Sequence, residues 1–175
     1  MLKLSSKDVL LTFMATLDSL TKQGHLIKIE VGLDPEILPE RVIYALPSVV
    51  RWLKAELPML VAEWGEGSQS PIEQVDYRFK QFIAGENLSS WQAMHVMRPA
   101  DGDHHIWELK TKDVRFFGWF YQKDVFVIAQ AASANLVKQN NLYPGLRDVC
   151  VQLRERLDLD EPKVVVGGYS NVVSS

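Results

Sequence analysis

Lys110, Lys112 and Arg115 are the residues of this 175-residue chain whose types and spacing point most directly to chemistry. They lie in the segment Ile106–Ala131, where Trp107, Leu109 and Thr111 alternate with Glu108, Lys110 and Lys112. Alternation with period two marks a strand with one wet face. Lys112-Asp113 and Gln122-Lys123 interrupt the pattern and predict two tight turns joining three antiparallel strands, although neither has the Asn-Gly chemistry that favours such turns most. Two-residue turns set Lys110 opposite Arg115 and Arg115 opposite Gln130. Cations side by side on one sheet face repel, so this pairing calls for an anion or for open solvent. Lys138 and Arg147, on the elements that follow, extend the basic set. The plainer reading is a solvated face carrying long side chains.

Other chemistries find less support. Of the four histidines, His104 and His105 are adjacent, so on a strand their rings point to opposite faces. His25 and His95 are distant in sequence, and neither a cysteine partner nor a His-x-x-x-His spacing is present, so no metal site is expected. The chain has no Gly-x-Ser-x-Gly elbow, no glycine-rich loop followed by Lys-Ser or Lys-Thr, and no dinucleotide fingerprint, since Gly65-Glu66-Gly67 lacks the third glycine. No cofactor is expected. Asp158 and Asp160 fall in the tail of a helix, where a solvated cap explains them. Phe116, Phe117, Trp119, Phe120 and Phe126 fall on both faces of the predicted strands and read as core rather than as stacking platforms for single-stranded nucleic acid.

Composition sets the frame for these residues. The length suits a single domain with a sizeable core, and 47% of residues are hydrophobic. A formal charge of -3 argues against nucleic-acid binding through bulk electrostatics, so any anion site must be local. The single cysteine, Cys150, excludes an intramolecular disulfide framework and reads as a buried small hydrophobe. Lys7 and Asp8 interrupt the apolar N-terminus, and no run reaches the length of a membrane span. A soluble, cytoplasmic protein is the expectation.

The elements that must position the basic residues follow from periodicity. Ser6, Val9, Phe13, Leu17 and Leu20 predict an amphipathic helix stopped at Gly24. His25–Val31 alternates as a strand. Val42 to Leu53 keeps helical spacing, with breaks expected at Pro47 and Pro58. The stretch 65–70 is a polar, glycine-rich boundary. Ser70-Pro71-Ile72-Glu73 carries a capping-box signature and opens a helix that ends before Gly85. Gln92–Arg98 predicts a strand and Pro99–Asp103 a connector. A polar loop is expected over Ser133–Asn141, a helix from Pro144 through Leu157, a strand over Lys163–Val166 and a frayed tail from Ser170.

This order of elements, with Ile106-Trp107-Glu108-Leu109-Lys110 followed by Val114-Arg115-Phe116, resembles the RelE/HigB toxin superfamily. The likeness is to its phage-derived HigB-like branch, whose members carry a Leu-Trp-Glu-Leu-Arg strand and then a Tyr-Arg-Ile strand. It covers about Pro71 to Leu157. The resemblance implies ribosome-dependent, metal-independent messenger RNA cleavage by attack of a 2′-hydroxyl on the adjacent phosphate. It further implies an antitoxin protein as partner. By that resemblance Arg115 stabilises the phosphate and Lys110 accepts a proton, with Lys138 as the third catalytic cation if the loop that carries it folds back toward the sheet. Lys112 and Arg147 would contact RNA. The chain departs from the family where a Gly-Phe-x-Lys-Lys cluster would follow the last strand: it has Ala132-Ser133-Ala134-Asn135, and Lys138 is the first cation.

The expected architecture is therefore α+β, with an antiparallel sheet of four to five strands and helices on one face. Residues 71–169 would form the core and 1–64 a mainly helical N-terminal extension that covers an edge or forms a homodimer contact. A ribonuclease requires Lys110, Arg115 and a cation from 135–147 to converge on an exposed patch. A catalytically inert interaction module on the same scaffold would instead pair Arg115 internally, with Glu108 or Asp113. A small-molecule-binding domain would show a closed apolar cavity lined by Trp107, Trp119 or Phe126.

Overall fold

The computed structural model describes residues 16–63, 68–100 and 104–174. The predicted helix from Ser6 is described only over its last turns, 16–22 (α1), and it stops where predicted, with Gly24 at φ 75°. The core of the boundary at 65–70 and most of the 99–103 connector lie outside the described residues.

The chain is α+β, but its sheet has six strands and is mixed. These are β1 (Ile27–Lys28), β2 (Val42–Ala45), β3 (Met94–Val96), β4 (Trp107–Lys110), β5 (Val114–Gln122) and β6 (Val125–Ser133), in the order β1-β2-β6-β5-β4-β3. Strand β2 runs parallel to β6, from Val42 opposite Val125 to Ala45 opposite Ile128. This corrects the expectation of four to five antiparallel strands, and the segment responsible is one that helical spacing misassigned. Val42 and Ile43 are β-branched, and Leu46 precedes a proline, which disfavours helical backbone; Leu46 is extended, with ψ 151°. The helix α2 (Pro47–Ala55) begins only at Pro47, where a missing N–H costs nothing, and Pro58 falls in a 3-10 turn (Leu57–Met59). The N-terminal part thus supplies two strands of the sheet.

Helices cover both faces, not one. Phe116 meets Trp52 of α2 at 6.5 Å and Phe79 of α3 (Pro71–Ile83) at 5.0 Å. The adjacent Phe117 meets Tyr143 of α5 (Tyr143–Arg156) at 6.1 Å. Successive strand residues point to opposite faces, so α2 and α3 lie on one side and α5 on the other. Strand β5 is accordingly buried at every position but Gln122, as expected of a strand covered twice. Cys150 of α5 is fully buried, and that burial pushes its thiol pKa up, away from the reactive range.

The first predicted turn holds: Lys110 lies opposite Arg115. The second falls one residue later, at Lys123-Asp124, with Gln122 opposite Val125, and this slides the pairing so that Arg115 faces Ala132 and Phe117 faces Gln130. Asp124 adopts φ 65°, a conformation that Asp tolerates better than Lys. Its carboxylate accepts from the Ser174 backbone N–H at 2.7 Å and approaches Arg41 at 3.5 Å.

The capping box at Ser70 forms as predicted. Glu73 N–H donates to Ser70 Oγ at 3.3 Å, and Ser70 N–H donates to Glu73 Oε2 at 2.7 Å. Helix α3 carries Phe79 and Phe82 into the core, so its first turn matters to packing. Ser70→Ala should cost about 1 kcal/mol, measurable as a lower urea midpoint with unchanged slope.

Three further expectations change. The polar stretch after β6 is helical from Ala134 to Gln139 (α4), because Ser133 Oγ caps it by accepting from Leu136 N–H at 3.1 Å. Residues 163–166 are irregular, held by Val165 N–H donating to Phe120 O at 2.8 Å. The tail is not frayed over 170–174: Tyr169–Val172 forms a short helix (α6), and Val172 and Val173 are buried. No helix among the described residues is long and apolar enough to cross a membrane.

Candidate anion-binding cleft

Strands β3, β4 and β5 bring a charged cluster onto the face that α5 only partly covers. Register places His95 opposite Glu108 and Lys110 opposite Arg115. Glu108 is the hub. Its Oε1 lies 3.2 Å from Arg115 Nε, and its Oε2 lies 3.2 Å from His95 Nε2 and 3.5 Å from Lys110 Nζ. The Glu108 side chain is 2% exposed and that of Arg115 8%, so the pair is largely desolvated. Neither Glu108 Oε1 nor Arg115 Nε completes a well-aligned hydrogen bond, so their attraction is mainly coulombic. Arg115 Nη1 donates instead to the carbonyls of Thr111 and Val114. Asp113 is engaged elsewhere, accepting from Gln74 Nε2 at 2.6 Å.

Above this cluster is an open cleft of about 410 Å³ lined by Trp91, His95, Met97, Arg98, Glu108, Lys110, Arg115, Lys138 and Tyr143. All three cations predicted to be catalytic, Lys110, Arg115 and Lys138, line it. Lys138 reaches it because α4 folds back over the sheet; it is exposed in the last turn of that helix. Among the described residues no carboxylate lies at ion-pair distance from Lys138. Among the described residues lining the cleft, the four cationic side chains of Arg98, Lys110, Arg115 and Lys138 stand beside one carboxylate, and the cleft suits an anion despite the acidic chain. Burial pushes the Lys110 pKa below the usual lysine value, with the charge of Arg115 adding to the shift and Glu108 opposing it.

Neither of the two predicted RNA contacts lines this cleft. Lys112 is exposed at the β4–β5 turn and lines a different, polar cleft with Gln69, Gln74, Tyr77, Arg78 and Thr111. Arg147 pairs with its neighbour Asp148 at 3.2 Å and donates to the carbonyl of the lining residue Arg98 at 3.4 Å.

Sequence reasoning names Glu108 only as a partner for Arg115, a pairing that forms, and misses His95, Trp91, Arg98 and Tyr143. Glu108 had a signal, since it stands two residues before Lys110 on the same strand face and opposite-charge pairs stabilise such faces. His95 and Trp91 had none, because their place depends on how β3 aligns with β4 across a long connection. Among the described residues, no group of three His, Cys, Asp or Glu side chains is placed to hold a metal ion. The apolar ligand cavity expected of a small-molecule domain is not what the aromatic residues form: Trp107 packs edge-on to Phe120 at 5.5 Å and Trp119 is fully buried. Comparison of the chain with protein-family models, with curated proteins and with solved structures finds no match.

Proposed function

We propose that this protein is a RelE/HigB-like toxin-type messenger RNA endoribonuclease that works without a metal, and that the cleft over β3, β4 and β5 receives the scissile phosphodiester. The observation that carries the reading is the convergence of Lys110, Arg115 and Lys138 on one cleft, although Lys138 lies on a separate helix. Cleavage of this type needs a group to take the 2′-hydroxyl proton and cations to hold the charge that develops on phosphorus. Lys138, exposed and with no carboxylate at ion-pair distance among the described residues, binds the phosphate. Lys110, whose pKa is lowered by burial, takes the proton from the 2′-oxygen when neutral; that oxygen then bonds to phosphorus as the bond to the 5′-oxygen breaks, and the departing 5′-oxygen takes a proton from solvent water. Arg115 contributes positive potential from the cleft floor while Glu108 holds it in place. The biological setting of this reading is the cytoplasm, with the ribosome presenting the transcript and an antitoxin protein covering the basic cleft.

One observation favours a second reading, an inert interaction module on the same scaffold: Arg115 is paired internally with Glu108 and only 8% exposed. Expression in a bacterial host separates the two. Growth arrest with cleaved transcripts is expected for the wild-type chain, and a Lys110→Ala, Lys138→Ala double variant should lower cleavage by about 100-fold or more. Normal growth and intact transcripts at high wild-type expression would instead favour the inert module. The double variant leaves the Glu108–Arg115 pair in place, so its loss of activity would not reflect a broken core.

A further inference from the structure

Trp91 has an environment that core packing does not account for. Of the described tryptophans, Trp107 and Trp119 are buried, whereas Trp91 is 67% exposed on the loop before β3. Yet its ring is held. The indole stacks on His95 at 3.9 Å with an interplanar angle of 29°. The Lys110 ammonium sits 4.9 Å from its centroid and also donates to the Trp91 carbonyl at 2.9 Å. His95 and Lys110 share Glu108 as partner, so both lie on the sheet side of the ring. The residue is nonetheless 67% exposed and lines the cationic cleft, so its ring keeps surface open to a ligand there.

An indole kept flat and open in this way does what an aromatic platform does for an unstacked base, and base–aromatic stacking tolerates any base because each has a π-face. The same cleft offers Lys138 and Arg98 at its margin, both exposed. Aromatic face and cations thus stand in one cavity of about 410 Å³, within the size range of small-ligand sites. We infer that Trp91 is a stacking platform for one unpaired base of single-stranded RNA, the phosphate next to that base resting on Lys138. The inference rests on the phosphodiester reading of the cleft and adds to it a subsite for an unpaired base. Double-stranded RNA is excluded by the same geometry: its bases are stacked on one another, and its deep, narrow major groove does not admit side chains.

The test is binding of a fluorescently labelled octaadenylate by fluorescence anisotropy across a salt series, with wild-type protein, Trp91→Phe, Trp91→Ala and Lys138→Ala. Trp91→Ala should weaken binding by about 5- to 100-fold, the range of one lost stacked base. It should leave the salt dependence unchanged, because no phosphate contact is removed. Trp91→Phe should keep most of the affinity, and Lys138→Ala should flatten the salt dependence. The same RNA annealed to its complement should bind more weakly and be indifferent to Trp91→Ala. Equal binding by Trp91→Ala and wild type, with Lys138→Ala still weakened, would overturn the stacking platform and leave the phosphate cleft standing. No binding of the octamer by wild-type protein would overturn the stacking platform, while the cleavage reading stands or falls on transcript integrity in the bacterial host. Thermal unfolding of each variant identifies any loss that reflects folding, and an unfolded Trp91→Ala leaves Trp91→Phe against Trp91→Leu as the deciding pair.

Discussion

Glu108→Gln is expected to lower the folding stability of this protein by about 3 kcal/mol or more, although the replacement is nearly isosteric. The substitution leaves Arg115, 8% exposed, and Lys110, 11% exposed, without the carboxylate that offsets their desolvation. Removing one member of a buried pair costs more than the pair itself contributes, because the remaining charge stays out of water. Arg115 keeps its two bonds to the Thr111 and Val114 carbonyls, which limits the loss. Urea unfolding followed by tryptophan fluorescence would measure it. A double variant, Glu108→Gln with Arg115→Met, should recover much of the deficit, since no unpaired guanidinium is then left in the floor. If Glu108→Gln were as stable as wild type, the cluster would have to be wet in solution. Its cations would then be freer to act on a phosphate than the pairing suggests.

Gly118→Ala should be at least as damaging, for a steric reason. An added Cβ would stand 1.9 Å from the Val127 carbonyl oxygen and 3.0 Å from Ile128 Cα, both backbone atoms of the neighbouring strand. The close approach arises where the β5–β6 register shifts between Phe117 and Gly118. At such a bulge a glycine lets two backbones approach more closely than any side chain allows. Neither strand has room to withdraw, since β5 and β6 are fully buried around this point. The expected loss is about 3 kcal/mol or more, seen as a lowered thermal midpoint and, at that magnitude, as poor soluble yield. A crystal structure of a folded Gly118→Ala chain would show the bulge displaced. Unchanged stability would mean that the two strands are not held this closely in solution.

These two sites show where legibility ended. The alternation around Lys110 and the turn at Lys112-Asp113 gave the pairing of Lys110 with Arg115, because both signals span a few residues. The second turn was misplaced by one residue, for the sequence offers no Asn-Gly and the deciding contacts to Asp124 come from Ser174 and Arg41, far along the chain. Ser70, Gly24 and Gly85 marked helix ends correctly, since capping is a local matter of one side chain or one permissive backbone angle. Val42–Ala45 was misread because apolar residues at 42, 43 and 46 fit a helix as well as a buried strand. Only its partner β6 resolves the ambiguity.

By itself the sequence determined an α+β chain, the meander from β4 to β6, the caps of α3 and the cross-strand pair Lys110–Arg115. All of these follow from patterns within one or two elements. The tertiary structure decided that β2 inserts parallel to β6, that helices cover both faces, and that α4 brings Lys138 over the sheet. It also decided that Arg115 meets Glu108 and that Trp91 lies over His95. The physical reason is common to all of them. Side-chain period and turn chemistry are local, whereas the partner a strand or a charge finds depends on how segments dozens of residues apart align and on which groups burial forces together.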